Sequence, residues 1–282
     1  HVHSTTSDGS ETPSALIQEA TRAGLGAVAL TDHDTLEGIE SAQEAAQSSD
    51  LIVVPGLEFS TYSTVDGEEA EVHLLGLFVD IDDPPLRAEL ERLQETRVRR
   101  ARKIARRLQD IEIDVDADKI IENAGTGSVS RVHVASELVE MGYCENIREA
   151  FNRYLSLDKP AYVPKKHLTP PEAIELIHGA GGCSVLAHPA STRQIEEILP
   201  RLLDAALDAI EVHYPGHSDR DEAFWLELTR EHDLGVSGGS DYHGEPKPYV
   251  SVGQETVSFV ELEDLQRRAR EHRRASRLEH RV

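Results

Sequence analysis

The chain has 282 residues, 39% of them hydrophobic and 5% aromatic, and a formal net charge of −23. That length can bury a sizeable core, as one barrel or as two domains, and no apolar run reaches the roughly 20 residues needed to span a bilayer, so no membrane partner is expected. The acidic balance argues against a general electrostatic grip on duplex nucleic acid, so an anionic substrate has to be drawn in by metals or a local basic cluster.

In chain order, His1-Val2-His3-Ser4-Thr5-Thr6-Ser7-Asp8-Gly9 comes first. Two histidines one residue apart on a strand share a face and can hold one metal ion, and Asp8 before a turn-forming glycine can return to the same spot. A strand should run into His1, so further residues are expected ahead of it. Thr12-Pro13 starts a helix that Gly24 ends. Ala27 to Leu30 is a short strand delivering Asp32, His33 and Asp34, the last expected in a turn or cap. A helix over 36–47 leads to a strand over 51–54, which Pro55-Gly56 is expected to break ahead of Glu58. Val72 to Val79 is another strand, with His73 near its beginning, and no helix fits between Glu58 and Glu71.

Asp82-Asp83-Pro84-Pro85 then opens a long helix. Its basic run, Arg97, Arg99, Arg100, Arg102, Lys103, Arg106 and Arg107, is expected as a solvated face. Short helical patterns follow over 117–124, 132–141 and 146–155. Residues 81–165 therefore read as an inserted small helical cap domain, and residues 1–80 and 166–282 as the domain that carries it. Alternation resumes with a helix over 170–180 and a strand over 183–187 delivering His188. A helix over 192–206 precedes a strand over 208–213 with Glu211 and His213. A helix over 219–232 precedes a strand over 234–237 leading to Asp241 and His243, and a last strand and basic helix, roughly 255–274, close the chain. Counting the strand implied before His1, seven strands present polar residues, six of them at or near their C-terminal ends. The fold class expected is α/β, a distorted (β/α)7 TIM-like barrel whose site lies at the C-terminal face. His73, at the wrong end of its strand, does not follow that rule.

From these residues three metal sites can be built: His1, His3, Glu58 and Asp241; then Glu58, His73 and His188, with Glu58 bridging; then Asp8, His33 and His243. Mixed histidine and carboxylate donors suit Mn, Fe or Zn better than Mg, which remains possible. A close metal pair can clamp both ends of an in-line displacement at phosphorus. Taken singly, a His-x-His is more often a polar strand edge, and a lone His33 or His73 more often hydrogen-bonded structure. The repetition of such residues at strand ends is what carries the metal reading. Cys144 and Cys183, far apart in sequence, suggest no disulfide framework and favour a reducing cytoplasm.

His1-Val2-His3-Ser4, Ser7-Asp8-Gly9, Thr31-Asp32-His33-Asp34, Pro55-Gly56-Leu57-Glu58, Leu186-Ala187-His188-Pro189 and Gly239-Ser240-Asp241-Tyr242-His243-Gly244 resemble the PHP (polymerase and histidinol phosphatase) family of the amidohydrolase superfamily. The resemblance covers nearly the whole chain and implies a distorted seven-stranded barrel binding up to three metals. Ser130-Arg131-Val132-His133-Val134-Ala135, Lys159-Pro160-Ala161-Tyr162-Val163-Pro164, and Asp8 where some relatives carry His, are similar to the subgroup acting on nucleotides. That implies removal of the 3′-phosphate of a nucleoside 3′,5′-bisphosphate, with 5′-3′ trimming of short RNA and histidinol-phosphate hydrolysis as alternatives. A metal-stabilised binding module is the non-enzyme alternative. On this reading Glu58, Asp241, Arg131 and His213 serve catalysis. Arg131 clamps phosphate. His133, Lys159 and Lys165 add charge and hydrogen bonds, and His213 or, less favoured, His217 protonates the leaving oxygen or holds a second phosphate. For Arg131 and His133 the blander alternative is a salt-bridged helix, for the lysines a solvated linker, and for His217 a surface loop.

Overall fold

The computed structural model describes residues 1–125, 128–164 and 168–279. Its centre is a curled six-stranded sheet in the order β1 to β6. The strands are β1 (Ala27–Leu30), β2 (Ile52–Val65), β3 (Glu68–Leu77), β4 (Cys183–Leu186), β5 (Ala209–His213) and β6 (Gly235–Gly238). β1 pairs parallel with β2, and β4, β5 and β6 run parallel, but β3 is antiparallel to both of its neighbours. A single-residue bridge stands where a seventh strand is predicted. Val2 bridges Leu30 on one side and Tyr242 on the other, both in parallel sense. His3 N donates to Tyr242 O and Thr31 N to Val2 O, so the first residues lie between β1 and the segment just past β6.

Two other expectations change. β2 continues through Pro55-Gly56 instead of breaking there, because Pro55 is paired with Leu30 and Gly56 packs where a Cβ would lie 3.0 Å from Gly76 O. The segment before the final helix is turn and loop rather than strand. The reversal of β3 also explains His73. β2 and β3 form a hairpin closed by Asp66-Gly67, both with positive φ (51° and 84°), the conformation of a two-residue type I′ turn. On a returning strand, a residue early in sequence lies at the same end of the sheet as residues late on its neighbours. His73 accordingly faces Ser60, two residues beyond Glu58.

The flanking helices are α1 (Pro13–Arg22), α2 (Ile39–Ala46), α7 (Pro170–Gly179), α8 (Ile195–Asp204), α9 (Asp219–Glu231) and α10 (Phe259–Glu279). Thr12 caps α1 through Ala15 N, with Pro13 in its first turn, as predicted. Between β3 and α7 run α3 (Pro84–Gln109), α4 (Ala117–Asn123), α5 (Arg131–Glu140) and α6 (Ile147–Ala150). The first half of α3 buries Leu86, Leu90 and Leu93 in the main core, whereas Ile104, Ala105 and Leu108 join a second cluster with Ile120, Val134, Leu138 and Leu155.

Arg97 sits where α3 passes from one cluster to the other. It is buried, not solvated: Nε donates to Asp34 Oδ2 at 2.9 Å, and Nη1 to Val129 O. Arg100 also turns inward and donates to Val163 O at 2.8 Å, leaving Arg99, Arg102, Lys103, Arg106 and Arg107 on the exposed face. Arg97→Ala strands the Asp34 carboxylate, which is 1% exposed. It is expected to cost about 3–5 kcal/mol in denaturant unfolding. A loss below about 1 kcal/mol would mean that water replaces the pair.

Candidate metal centre

Four polar donors converge at the mouth of the sheet: His1 and His3 from the first segment, Glu58 from within β2 and Asp241 from the segment after β6. His1 Nε2 lies 3.2 Å from His3 Nε2, 3.3 Å from Glu58 Oε2 and 3.4 Å from Asp241 Oδ1. His3 Nε2 lies 3.0 Å from Glu58 Oε2 and 3.2 Å from Asp241 Oδ1. All four residues are buried. A tetrahedron with metal–ligand bonds of about 2.0–2.1 Å has edges of roughly 3.3 Å, so this donor set fits one divalent transition metal. The other oxygen of Glu58 serves a second group: Oε1 lies 2.9 Å from His73 Nδ1 and 3.1 Å from His188 Nε2. A third group gathers around Asp8, whose oxygens lie 3.4 Å from His243 Nε2, 3.8 Å from His33 Nε2 and 3.6 Å from His3 Nδ1. His3 Nδ1 is buried without a hydrogen-bond partner, as expected of a donor atom that a metal would use. His33 Nδ1, 3.3 Å from Glu58 Oε2, links the third group to the first.

The backbone is bent to reach this arrangement. His188 (φ 32°) and Asp241 (φ 51°) adopt left-handed conformations that cost non-glycine residues about 1–3 kcal/mol each. Gly9 lets its loop close on His3, since a Cβ there would lie 2.3 Å from His3 O. Asp32, buried, folds that loop by accepting from Ser4 N, Ser4 Oγ and Ser7 Oγ at 2.6–2.7 Å. Asp34 does not join the metal donors and instead receives Ser60 N and Arg97.

So dense a cluster couples its protons. Burial opposes charge on every member, but the mutual attraction of imidazolium and carboxylate overrides it in most. Glu58, Asp8 and Asp241 are held well below the usual carboxylate range, with His33 and His73 dominating at Glu58 and His1 at Asp241. Against burial, Asp241 and Glu58 raise His3 to about 9, and Glu58 and Glu71 raise His73 to about 10. His33 goes the other way, to about 3, because burial outweighs Glu58 and Asp8 and its neighbours His3 and His73 repel a further charge.

Three residues missed as site members complete the picture. Glu211, fully buried, takes His1 Nδ1 on Oε1 and His188 N on Oε2, each at 2.8 Å, and so orients two of the donors. Tyr214 Oη donates to Asp241 Oδ2 at 3.2 Å, and Lys247 Nζ approaches the same oxygen at 2.5 Å. Glu211 was visible at a strand end. Lys247 sits in the loop Gly244–Tyr249, which carries no sequence signal.

Of the substrate residues predicted, His133 lines a groove of about 640 Å³ that also contains Asp8 and Ser10, while its Nδ1 closes a capping box with Ser130. Arg131 begins α5, with its guanidinium 5.3 Å from the centre of the Phe151 ring and reaching Leu155 O. His213 is turned toward Glu222 of α9 at 3.3 Å, and Tyr214 rather than His213 borders the cavity over the donors. His217 donates through Nδ1 to Val212 O and packs edge-on to Tyr214. Lys159 is exposed, and Lys165 lies outside the described residues.

A PHP domain profile matches residues 1–121. The 5′-3′ exoribonuclease Rnm of Salmonella typhimurium is 36% identical over 260 residues, covering 90% of this chain and 87% of the relative. This chain belongs to the PHP family. A 3′,5′-nucleoside bisphosphate phosphatase from Chromobacterium violaceum is 34% identical, over 90% of this chain and 89% of the relative. A crystal structure of a candidate metal-dependent phosphoesterase from Bifidobacterium adolescentis superposes with a TM-score of 0.86 at 29% identity, over 95% of this chain and 94% of that one. The PHP protein is therefore a metal-dependent hydrolase of phosphate esters, and its donor groups are candidates to hold such metals. Among the described residues no helix is long and apolar enough to cross a membrane.

Proposed function

We propose that the protein removes the 3′-phosphate from a nucleoside 3′,5′-bisphosphate, yielding a 5′-monophosphate such as AMP. The observation that carries this reading is a pair of guanidinium groups, Arg100 and Arg131, close enough to repel one another. Arg100 is pushed down to about 10, first by burial and then by the charge of Arg131 close by. Among the described residues neither forms an ion pair, and both act on Tyr62, whose neighbour Glu71 lies 3.5 Å from His73 Nε2. Two like charges held together in a partly buried place call for an anion such as phosphate.

On this reading the donors would hold two to three divalent ions, of which Mn, Fe or Zn fit best, and such ions would polarise a phosphoryl group and lower the pKa of water. His1, His3, Glu58 and Asp241 form one holding group, Glu58, His73 and His188 a second, and Asp8, His33 and His243 a third. Residues 81–165 act as the cap on a distorted barrel and carry Arg100, Arg131 and His133 to the mouth. The cavity over the donors, about 190 Å³, is bordered by Lys247, Tyr214 and Ser191. Lys247 Nζ and Tyr214 Oη can donate protons or hydrogen bonds to the leaving 3′-oxygen, a role that His213, turned to Glu222, does not reach in this conformation.

A second reading, 5′-3′ trimming of short RNA, is favoured by the groove that leads from Asp8 past His133 and Arg148, which gives a longer chain room to lie. The deciding assay supplies Mn-loaded protein with adenosine 3′,5′-bisphosphate and, separately, with a 5′-phosphorylated trinucleotide, and identifies the products. AMP plus phosphate from the first supports the phosphatase reading. Release of mononucleotide from the second alone would overturn it. Arg131→Ala is expected to raise KM roughly 10–100-fold with metal content unchanged, the worth of hydrogen bonds to a charged group. An unaltered KM would remove Arg131 from the phosphate site.

A further inference from the structure

A second histidine–carboxylate cluster lies at the opposite end of the sheet from the catalytic donors. His178, in the last turn of α7, and His272, on α10, reach the same carboxylate, that of Asp208 just before β5. His178 Nε2 lies 2.8 Å from Asp208 Oδ2, and His272 Nε2 lies 2.9 Å from Asp208 Oδ1. The two imidazole rings are stacked, with centres 3.6 Å apart and planes 13° from parallel. Catalytic donors in this fold leave the C-terminal ends of the strands, whereas Asp208 precedes its strand, so the cluster takes no part in phosphoester chemistry.

We propose that His178, Asp208 and His272 form a structural binding site for a divalent transition metal, with zinc the best match to two imidazoles and one carboxylate. Three features support a cation over a simple hydrogen-bonded clamp. First, donors from the three side chains lie within 4.8 Å of one another. Second, Asp208 Oδ2 is crowded: Ser184 N at 2.8 Å, Ser184 Oγ at 3.0 Å and His178 Nε2 at 2.8 Å all approach an oxygen with two lone pairs. Coordination of His178 to a metal relieves that crowding and leaves Ser184 N to orient the carboxylate, the usual outer support of a metal ligand. Third, one side is open. A solvent groove of about 540 Å³, lined by Glu175, Ala205 and Ala275 besides the two histidines, gives a metal its entry path and room for a water as fourth ligand. The bound ion would tie α10, the last helix, to α7 and to the base of β5.

The test uses the whole protein and zinc itself. His272→Gln and His178→Gln keep a side-chain donor for Asp208 but remove a good zinc ligand. Each variant, equilibrated with zinc and desalted, is expected to hold one metal equivalent per chain fewer than wild type while hydrolysing phosphate esters at the wild-type rate. Zinc should also raise the wild-type melting temperature by several degrees more than that of His272→Gln, since a ligand bound only to the folded state stabilises it by mass action. Equal zinc content in wild type and both variants would overturn the proposal and leave a hydrogen-bonded clamp. If a variant misfolds, wild-type protein loaded with Co(II) decides the matter. Saturation at the stoichiometry of the catalytic groups alone overturns the site, and one further equivalent supports it.

Discussion

Glu58→Gln is expected to lower kcat/KM for any phosphate ester by roughly 10³-fold or more, about 4 kcal/mol of transition-state stabilisation, and to lower metal content with it. The reason is geometric. One oxygen of Glu58 lies 3.0–3.3 Å from nitrogens of His1, His3 and His33, and the other 2.9 Å from His73 and 3.1 Å from His188. Glu58 faces two donor groups with two separate carboxylate oxygens, whereas His3 and His33 reach two groups only through their ring nitrogens. Glutamine keeps the shape but turns one of those atoms into an N–H₂ donor and removes the charge, so at least one group loses an anionic ligand. Asp8→Asn touches only the third group and should cost less. Elemental analysis of each purified variant beside its kinetics separates the cases. Full metal content and near-normal turnover in Glu58→Gln would mean that Glu58 is a buried hydrogen-bond acceptor and that the donor groups bind independently.

Much of this site was legible because its members sit where strands end. His1, His3, Glu58, His188, Asp241 and His243 were named from position, and the structure brings them together, since the parallel strands carry their C-terminal residues to one face. His73 could be named but not explained. The missing signal was Asp66-Gly67, a dipeptide that favours two positive φ values and so reverses the chain into a hairpin. Proline at 55 was over-read as a strand break, although a strand tolerates it where no ladder N–H is needed. Arg97 illustrates the opposite limit. Seven basic residues on one helix look like a solvated face, and only the path of α3 between two hydrophobic clusters shows which of them turn inward. Tyr214 and Lys247 were out of reach for the same reason. Their importance comes from which side chain they touch across the mouth, and spacing along the chain carries no trace of that.

Chelation is expected to abolish hydrolysis and to expose a pH dependence that bound metal conceals. Without metal, His3 and His73 bind protons more tightly folded than unfolded, at about 9 and about 10 against an ordinary 6.5. Their contribution to stability is complete below 6.5 and is lost as pH rises through those folded values. His33, lowered to about 3, acts in reverse: its contribution is present above 6.5 and lost as pH falls toward 3. The depressed carboxylates of Glu58, Asp8 and Asp241 add a loss on the acid side, below their ordinary value of about 4. The metal-free protein should therefore be most stable near pH 6.5 and weaken on either side. Metal ligation requires neutral imidazoles, so metal competes with protons at His3 and His73, and its apparent affinity should climb between pH 6.5 and 10. Melting temperatures measured across that range with chelator and with saturating Mn should then diverge, the chelated curve falling while the loaded curve holds. Parallel curves would show that the histidines are not the groups the metal displaces protons from. Activity lost to chelator and recovered with Mn would still mark a metal enzyme, but one whose ions sit elsewhere than on His3 and His73.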